Sequence, residues 1–133
     1  MSAIGAGRVV LIVEDNDKNL KLARDVLEYH GFQTLEAATG EVGMNLARAN
    51  QPDLILMDIA LPGIDGVEAT RQLKQEPATA SVPIVALTAS VMHDDRSRFE
   101  AAGFAGLIAK PIDVRAFADQ VLGYCRPRSV EKP

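Results

Sequence analysis

The chain has 133 residues, 47% of them hydrophobic and 24% charged, with a formal net charge of −4. That suits one globular domain with a real core, and it argues against a general nucleic-acid binder, whose phosphate contacts need clustered Lys and Arg. No apolar run approaches the roughly 20 residues that cross a bilayer, and residues 1–8 hold no signal-peptide core. The single cysteine, Cys125, allows neither an internal disulfide nor a Cys/His zinc cluster, so the cytoplasm is the expected compartment.

Residues 1–7 are small and Gly-containing and read as a flexible leader. Gly5 and Gly7 come before the first strand, so they are not the phosphate-binding glycines of a dinucleotide fold, and no GK[ST] sequence occurs. Val9–Val13 is a continuous apolar run, the pattern of a parallel strand covered on both faces. Glu14, Asp15 and Asn16 follow it. Asn16 or Asp17 is placed to cap the next helix, but Glu14 and Asp15 come too early for that. Over 18–30, Leu20, Ala23, Val26, Leu27 and His30 recur at helical spacing, and Gly31 ends the helix. His30 reads as a helix-end residue. Phe32–Ala37 alternates apolar and polar, as an edge strand does.

Thr39-Gly40 opens a second helix carrying Val42, Leu46 and Ala49 and ending before Pro52. The next apolar run, Leu54–Met57, ends in Asp58, with a Pro62-Gly63 turn beyond. A lone Asp there could simply cap a loop. Gly63 and Gly66 bracket that loop, a short helix runs from about Gly66 to Gln75, and 76–82 reads as a surface loop. Pro83–Leu87 is a fourth strand running into Thr88-Ala89-Ser90. Residues 93–98 hold six polar side chains before Phe99, so a helix there has a thin apolar face and is a candidate for movement. Asp94 and Asp95 read as a solvated helix start. Gly106–Ala109 is the fifth strand, followed at once by Lys110-Pro111. The last helix carries Val114, Phe117, Ala118, Val121, Leu122 and Cys125 as an apolar stripe, which makes Cys125 a core residue, and 126–133 is a polar tail.

Five βα units with short, right-handed connections imply an α/β fold, a doubly wound five-stranded parallel sheet covered on both faces. Its strand ends then gather chemistry on one edge. The first strand delivers Glu14 and Asp15, the third Asp58, the fourth Thr88 and the fifth Lys110, all at the carboxyl edge where such sheets bind ligands. Three carboxylates in one crevice repel each other, and some would be protonated unless a cation joined them. Oxygen ligands without His or Cys favour Mg²⁺. Metal and lysine together suit a phosphoryl group, with Thr88 as hydrogen-bond donor and an Asp carboxylate as covalent acceptor.

The motifs Val13-Glu14-Asp15-Asn16, Leu56-Met57-Asp58-Ile59, Leu61-Pro62-Gly63-Ile64-Asp65-Gly66, Leu87-Thr88-Ala89 and Lys110-Pro111 stand in the order found in the response-regulator receiver domains of two-component signalling, which residues 8–125 resemble. The likeness is greatest to the single-domain type and to receiver modules of hybrid kinases. It implies a flavodoxin-like fold with strand order 2-1-3-4-5. It also implies that Asp58 accepts a phosphoryl group from a histidine kinase or phosphotransfer protein. Asp15, Asp58 and the Ala60 backbone carbonyl would hold Mg²⁺, with Glu14 acting through water. Lys110 would pair with the phosphoryl group, Thr88 would move towards it, and the Lys110-Pro111 bond would be cis. A downstream protein would then be regulated through the fourth helix, fifth strand and fifth helix, with 91–102 as the bistable element.

The chain departs from the family at Leu107, where receivers often carry Tyr or Phe three residues before the lysine. Phe104 is expected outside the strand. Ala60 and Ser90, small residues two past Asp58 and Thr88, stand at positions that in the family it resembles tune water access to the phosphoryl group. Two other readings are an aspartyl-phosphate phosphatase and a phosphate-independent binding module. The first lacks its general acid, since Ala60 stands at that position, and has no cap domain. The second is opposed by the complete set of Glu14, Asp15, Asp58, Thr88 and Lys110.

Overall fold

The structure, a computed structural model, describes residues 4–89 and 93–125, with side chains in the fourth helix described from Arg96 onward. Strands and helices alternate: β1 (Val9–Val13), α1 (Asp17–Tyr29), β2 (Gln33–Ala37), α2 (Gly40–Asn50), β3 (Leu54–Asp58), α3 (Gly66–Gln75), β4 (Ile84–Thr88), α4 (His93–Ala102), β5 (Gly106–Ala109) and α5 (Phe117–Tyr124). The five strands pair in parallel in the order β2-β1-β3-β4-β5, as expected. β2 is therefore an edge strand, which explains its polar alternation.

Strand side chains alternate between two cores. Leu11, Val13, Ile55, Met57, Ile84 and Ala86 face one core, with Met44, Ala47, Val67, Leu73, Phe99 and Phe104 from α2, α3 and the α4–β5 segment. Val10, Ile12, Leu54, Leu56, Val85 and Leu87 face the other, with Ala23, Leu27, Phe117 and Val121 from α1 and α5. Both faces are covered, so the central strands read as unbroken apolar runs. Each fully buried Leu, Ile or Phe contributes about 1.5–3 kcal/mol.

Local chemistry sets the helix ends. Asn16, rather than Asp17, caps α1: its Oδ1 accepts from the Asn19 N–H at 3.0 Å. Thr39 Oγ1 accepts from Val42 N–H at 3.1 Å and Asp65 Oδ1 from Glu68 N–H at 2.9 Å. α1 closes at His30, and Gly31 follows at φ +94°, a left-handed position that suits glycine.

Several expectations need correction. In α2 the inward residues are Gly40, Gly43, Met44 and Ala47. Val42 is exposed, Ala49 also faces out, and Leu46 is half-buried, because the helix approaches its neighbours too closely for larger groups. Val114 lies in a turn before α5 and is exposed. Cys125 is half-buried at the end of α5, against the rim of the second core. The loop 76–82 is not wholly on the surface: Thr79 and Val82 are buried, and Thr79 Oγ1 donates to Leu73 O at 2.6 Å, closing the end of α3. The leader expected to be flexible over 1–7 is anchored where described: Gly5 N–H donates to His30 O and Gly7 N–H to Gly31 O, both at 2.9 Å. Phe32 is buried but precedes β2, its N–H donating to Leu27 O. The expected tail 126–133, Ser90 and residues 91–92 lie outside the described residues. Among the described residues no helix is long and apolar enough to cross a membrane.

Candidate functional site

The carboxyl edge of the sheet brings the acids and the lysine together. Glu14 follows β1 directly; its N–H donates to Ala37 O at 2.9 Å, extending the strand pairing and carrying the side chain inside, where Glu14 is 2% exposed. Asp58 ends β3 and is 3% exposed. Lys110 follows β5, held by its N–H donating to Thr88 O at 2.8 Å. Its ammonium donates to Glu14 Oε1 at 3.2 Å and lies 3.3 Å from Asp58 Oδ1. Two backbone donors complete the cradle: Asn16 N–H to Glu14 Oε2 at 3.2 Å and Ala60 N–H to Asp58 Oδ1 at 3.1 Å.

The electrostatics follow from this packing. Burial, reinforced by the neighbouring Asp58 carboxyl, raises the Glu14 pKa above the ordinary 4.5. Burial also works against the charge on Lys110, but Asp58 and Glu14 outweigh it and raise its pKa above 10.5. The lysine therefore stays a cation.

Asp15 is exposed beside this pair, and Glu14, Asp15 and Asp58 can each offer an oxygen within 4.8 Å of the others. A set of carboxylates alone, open to water on the Asp15 side, fits a hard cation such as Mg²⁺. Thr88 ends β4 at the same edge, buried at 6% exposure. The Lys110-Pro111 peptide is cis. Leu107 is half-buried against the first core. Phe104 lies outside β5 and packs edge-to-face on Phe99 at 5.7 Å between ring centroids.

The sequence reading missed two structural parts of this site. The sequence reads Gly66 as a loop bracket, a helix start and the end of a family motif, without its packing role: a β-carbon there would lie 2.2 Å from Asp58 O. Its absence lets α3 start directly beneath the acid. The second is a shallow recess beside Lys110, lined by Asn19, Leu22, Ala23, Pro111 and Ile112. Asp-Gly before a helix was a visible signal for the first; the second joins residues far apart in the chain.

Comparison with known proteins gives this geometry a family. The sequence profile of the response regulator receiver domain matches residues 10–122. The chain belongs to that family. This receiver is 42% identical over 115 residues to the polar-differentiation response regulator DivK of Brucella ovis, covering 86% of this chain and 94% of that one. Among solved structures it resembles the receiver domain of the sensor histidine kinase PA1611 of Pseudomonas aeruginosa, with magnesium coordinated in the active-site cleft (33% identity, TM-score 0.78, 89% of this chain and 99% of that one). It also resembles the receiver domain of a Saccharomyces cerevisiae response regulator crystallised with its histidine phosphotransfer protein (28% identity, TM-score 0.81, 90% of each chain). The receiver is thus a two-component signalling domain.

Proposed function

We propose that Asp58 is the phosphoacceptor of this receiver and that residues 8–125 are the working unit. The donor is a phosphohistidine on a histidine kinase or phosphotransfer protein. An Asp58 carboxylate oxygen attacks phosphorus; the O–P bond forms as the N–P bond breaks, and the leaving imidazole nitrogen keeps the electron pair and takes up a proton. Asp15, Asp58 and the Ala60 carbonyl would hold Mg²⁺, with Glu14 acting through water. The bound ion supplies charge neutralisation to the phosphoryl oxygens. Lys110 exchanges part of its pairing with Asp58 for a phosphoryl oxygen, and the Thr88 hydroxyl donates to another. The observation that carries this reading is the convergence of Lys110 on both Glu14 and Asp58, within 3.3 Å, at the edge where Asp15 also stands.

The added charge of about −1.5 to −2 then acts on the α4–β5–α5 face, which presents the modified state to a downstream protein. Of the described α4 side chains only Phe99 and Ala102 are buried, so the helix is lightly held and suits a switching element. Hydrolysis of the acyl phosphate at the same residues resets the state. The compartment is the cytoplasm.

Intact mass after incubation with acetyl phosphate and Mg²⁺ tests the assignment. One added phosphoryl group that needs Mg²⁺ and is lost in Asp58→Asn is the expected result; undiminished labelling of Asp58→Asn overturns it. Amide exchange over 93–102 tests the switch, which fails if protection is equal with and without beryllofluoride.

A further inference from the structure

We infer that Gly40, in the first turn of α2, is a positioning residue that sets the acceptor loop 59–65; the inference rests on the site reading above. The loop leads from Asp58 to α3 and carries Ala60, whose N–H already donates to Asp58 Oδ1. At its far end Gly66 N–H donates to Ile59 O at 3.3 Å. Its second half leans on α2. A β-carbon on Gly40 would lie 2.7 Å from Ile64 Cγ2 and 2.8 Å from Ile64 O. The next α2 residue, Glu41, reaches the loop as well: a β-carbon on Gly63 would lie 3.3 Å from Glu41 Oε2. Two consecutive residues of α2 therefore lie close against two consecutive residues of the loop.

That turn of α2 is itself fixed. Thr39 caps it, and Gly43 lets the helix sit on β1, where a β-carbon would lie 2.7 Å from Val13 Cγ2. A closely packed path thus runs from β1 through α2 to the loop that supplies the proposed carbonyl ligand. Gly40 is not among the residues with positive φ, so its backbone does not require glycine; the close approach of Ile64 does. Helix propensity and loop positioning then call for opposite outcomes. Alanine in a helix is favoured over glycine. At Gly40 it must push the Ile64 backbone outward, and the loop with it.

The test titrates Mg²⁺ into the apo receiver and follows the amide chemical shifts of Ile59, Ala60 and Asp58. Gly40→Ala is expected to displace the apo shifts of 59–65 and to weaken Mg²⁺ binding roughly 10-fold, the scale on which supports behind metal ligands act. Ile64→Ala, which loosens the same contact, is expected to weaken it in the same direction and decides the matter if Gly40→Ala does not fold. Gly106→Ala is the control: its β-carbon would meet the Tyr124 ring, 2.4 Å from the hydroxyl oxygen, a steric demand on a side chain away from the loop, and it should leave the Mg²⁺ affinity unchanged. Affinities in Gly40→Ala and Ile64→Ala no weaker than in Gly106→Ala overturn the inference while leaving the site reading intact. A wild-type receiver that binds no Mg²⁺ overturns both.

Discussion

Replacing Lys110 by methionine keeps most of the length of the unbranched side chain and removes its charge. Glu14 and Asp58 are 2% and 3% exposed, and Lys110 is the cation shown bridging them, at 3.2 and 3.3 Å. Stripping one partner from a buried ion pair costs about 3–5 kcal/mol when the remaining charge has no escape. Here it has one, because Glu14 already sits above its ordinary 4.5 and can take up a proton. At about 1.4 kcal/mol per pH unit, protonating a carboxyl of ordinary pKa 4.5 at pH about 7 costs roughly 3 kcal/mol, which caps the loss. The sign follows from linkage: a carboxyl whose folded pKa is raised contributes stability that is complete below its unfolded value and is lost as pH rises through the folded one. Urea unfolding of Lys110→Met in chelator should therefore show a loss of about 2–3 kcal/mol at pH about 7, shrinking to under about 1 kcal/mol near pH 5. Millimolar Mg²⁺ should restore much of it at neutral pH. A loss of the same size at both pH values, untouched by Mg²⁺, would refute the reasoning.

Gly66→Ala places a methyl against the Asp58 carbonyl and should lower stability by about 1–3 kcal/mol, read from the urea midpoint, with slower labelling by acetyl phosphate. Phe117→Ala empties the fully buried centre of the α1–α5 core and should cost about 3–5 kcal/mol, visible as a large drop in thermal midpoint. Lys74 donates to Ala80 O at 3.2 Å and Val82 O at 2.6 Å, and burial lowers its pKa below 10.5. The unfolded chain then binds the proton more tightly, so this residue adds stability as pH rises from its folded pKa towards 10.5; Lys74→Met should flatten that part of the stability profile in chemical denaturation.

The central sheet and the acids at its edge were legible because both follow from short-range patterns. The runs Val9–Val13, Leu54–Met57 and Ile84–Leu87 announce strands buried on both sides, and the polar residue ending each run marks the carboxyl edge. The inward face of α2 was not legible. Hydropathy puts Val42 inside, but packing distance decides, and Gly40 and Gly43 are inside because Ile64 and Val13 come too close for a side chain. The same limit hid the anchoring of 76–82: Thr79 reads as polar loop until Leu73 O is seen to need its hydroxyl. The recess beside Lys110 depends on α1 meeting the β5–α5 turn, a contact across most of the chain that no local window contains. At the candidate site, residue types and strand ends could be read. The mutual distances of Glu14, Asp58 and Lys110 depend on the register of four strands.

Glu14 and Lys110 are 96 positions apart, and this has a consequence during synthesis. On the ribosome both acids of the first βα turn and Asp58 emerge well before the lysine that joins them. A nascent chain that paired its first three strands would crowd three carboxylates within 4.8 Å with no amine to offset them. Until a proton or a metal ion offset it, mutual repulsion would hold that end of the young sheet open, while its two apolar faces could already collapse. The last strand to arrive completes the sheet, and the residue after it brings the fixed positive charge that Glu14 and Asp58 share, so the edge gains its own cation only with the finished domain.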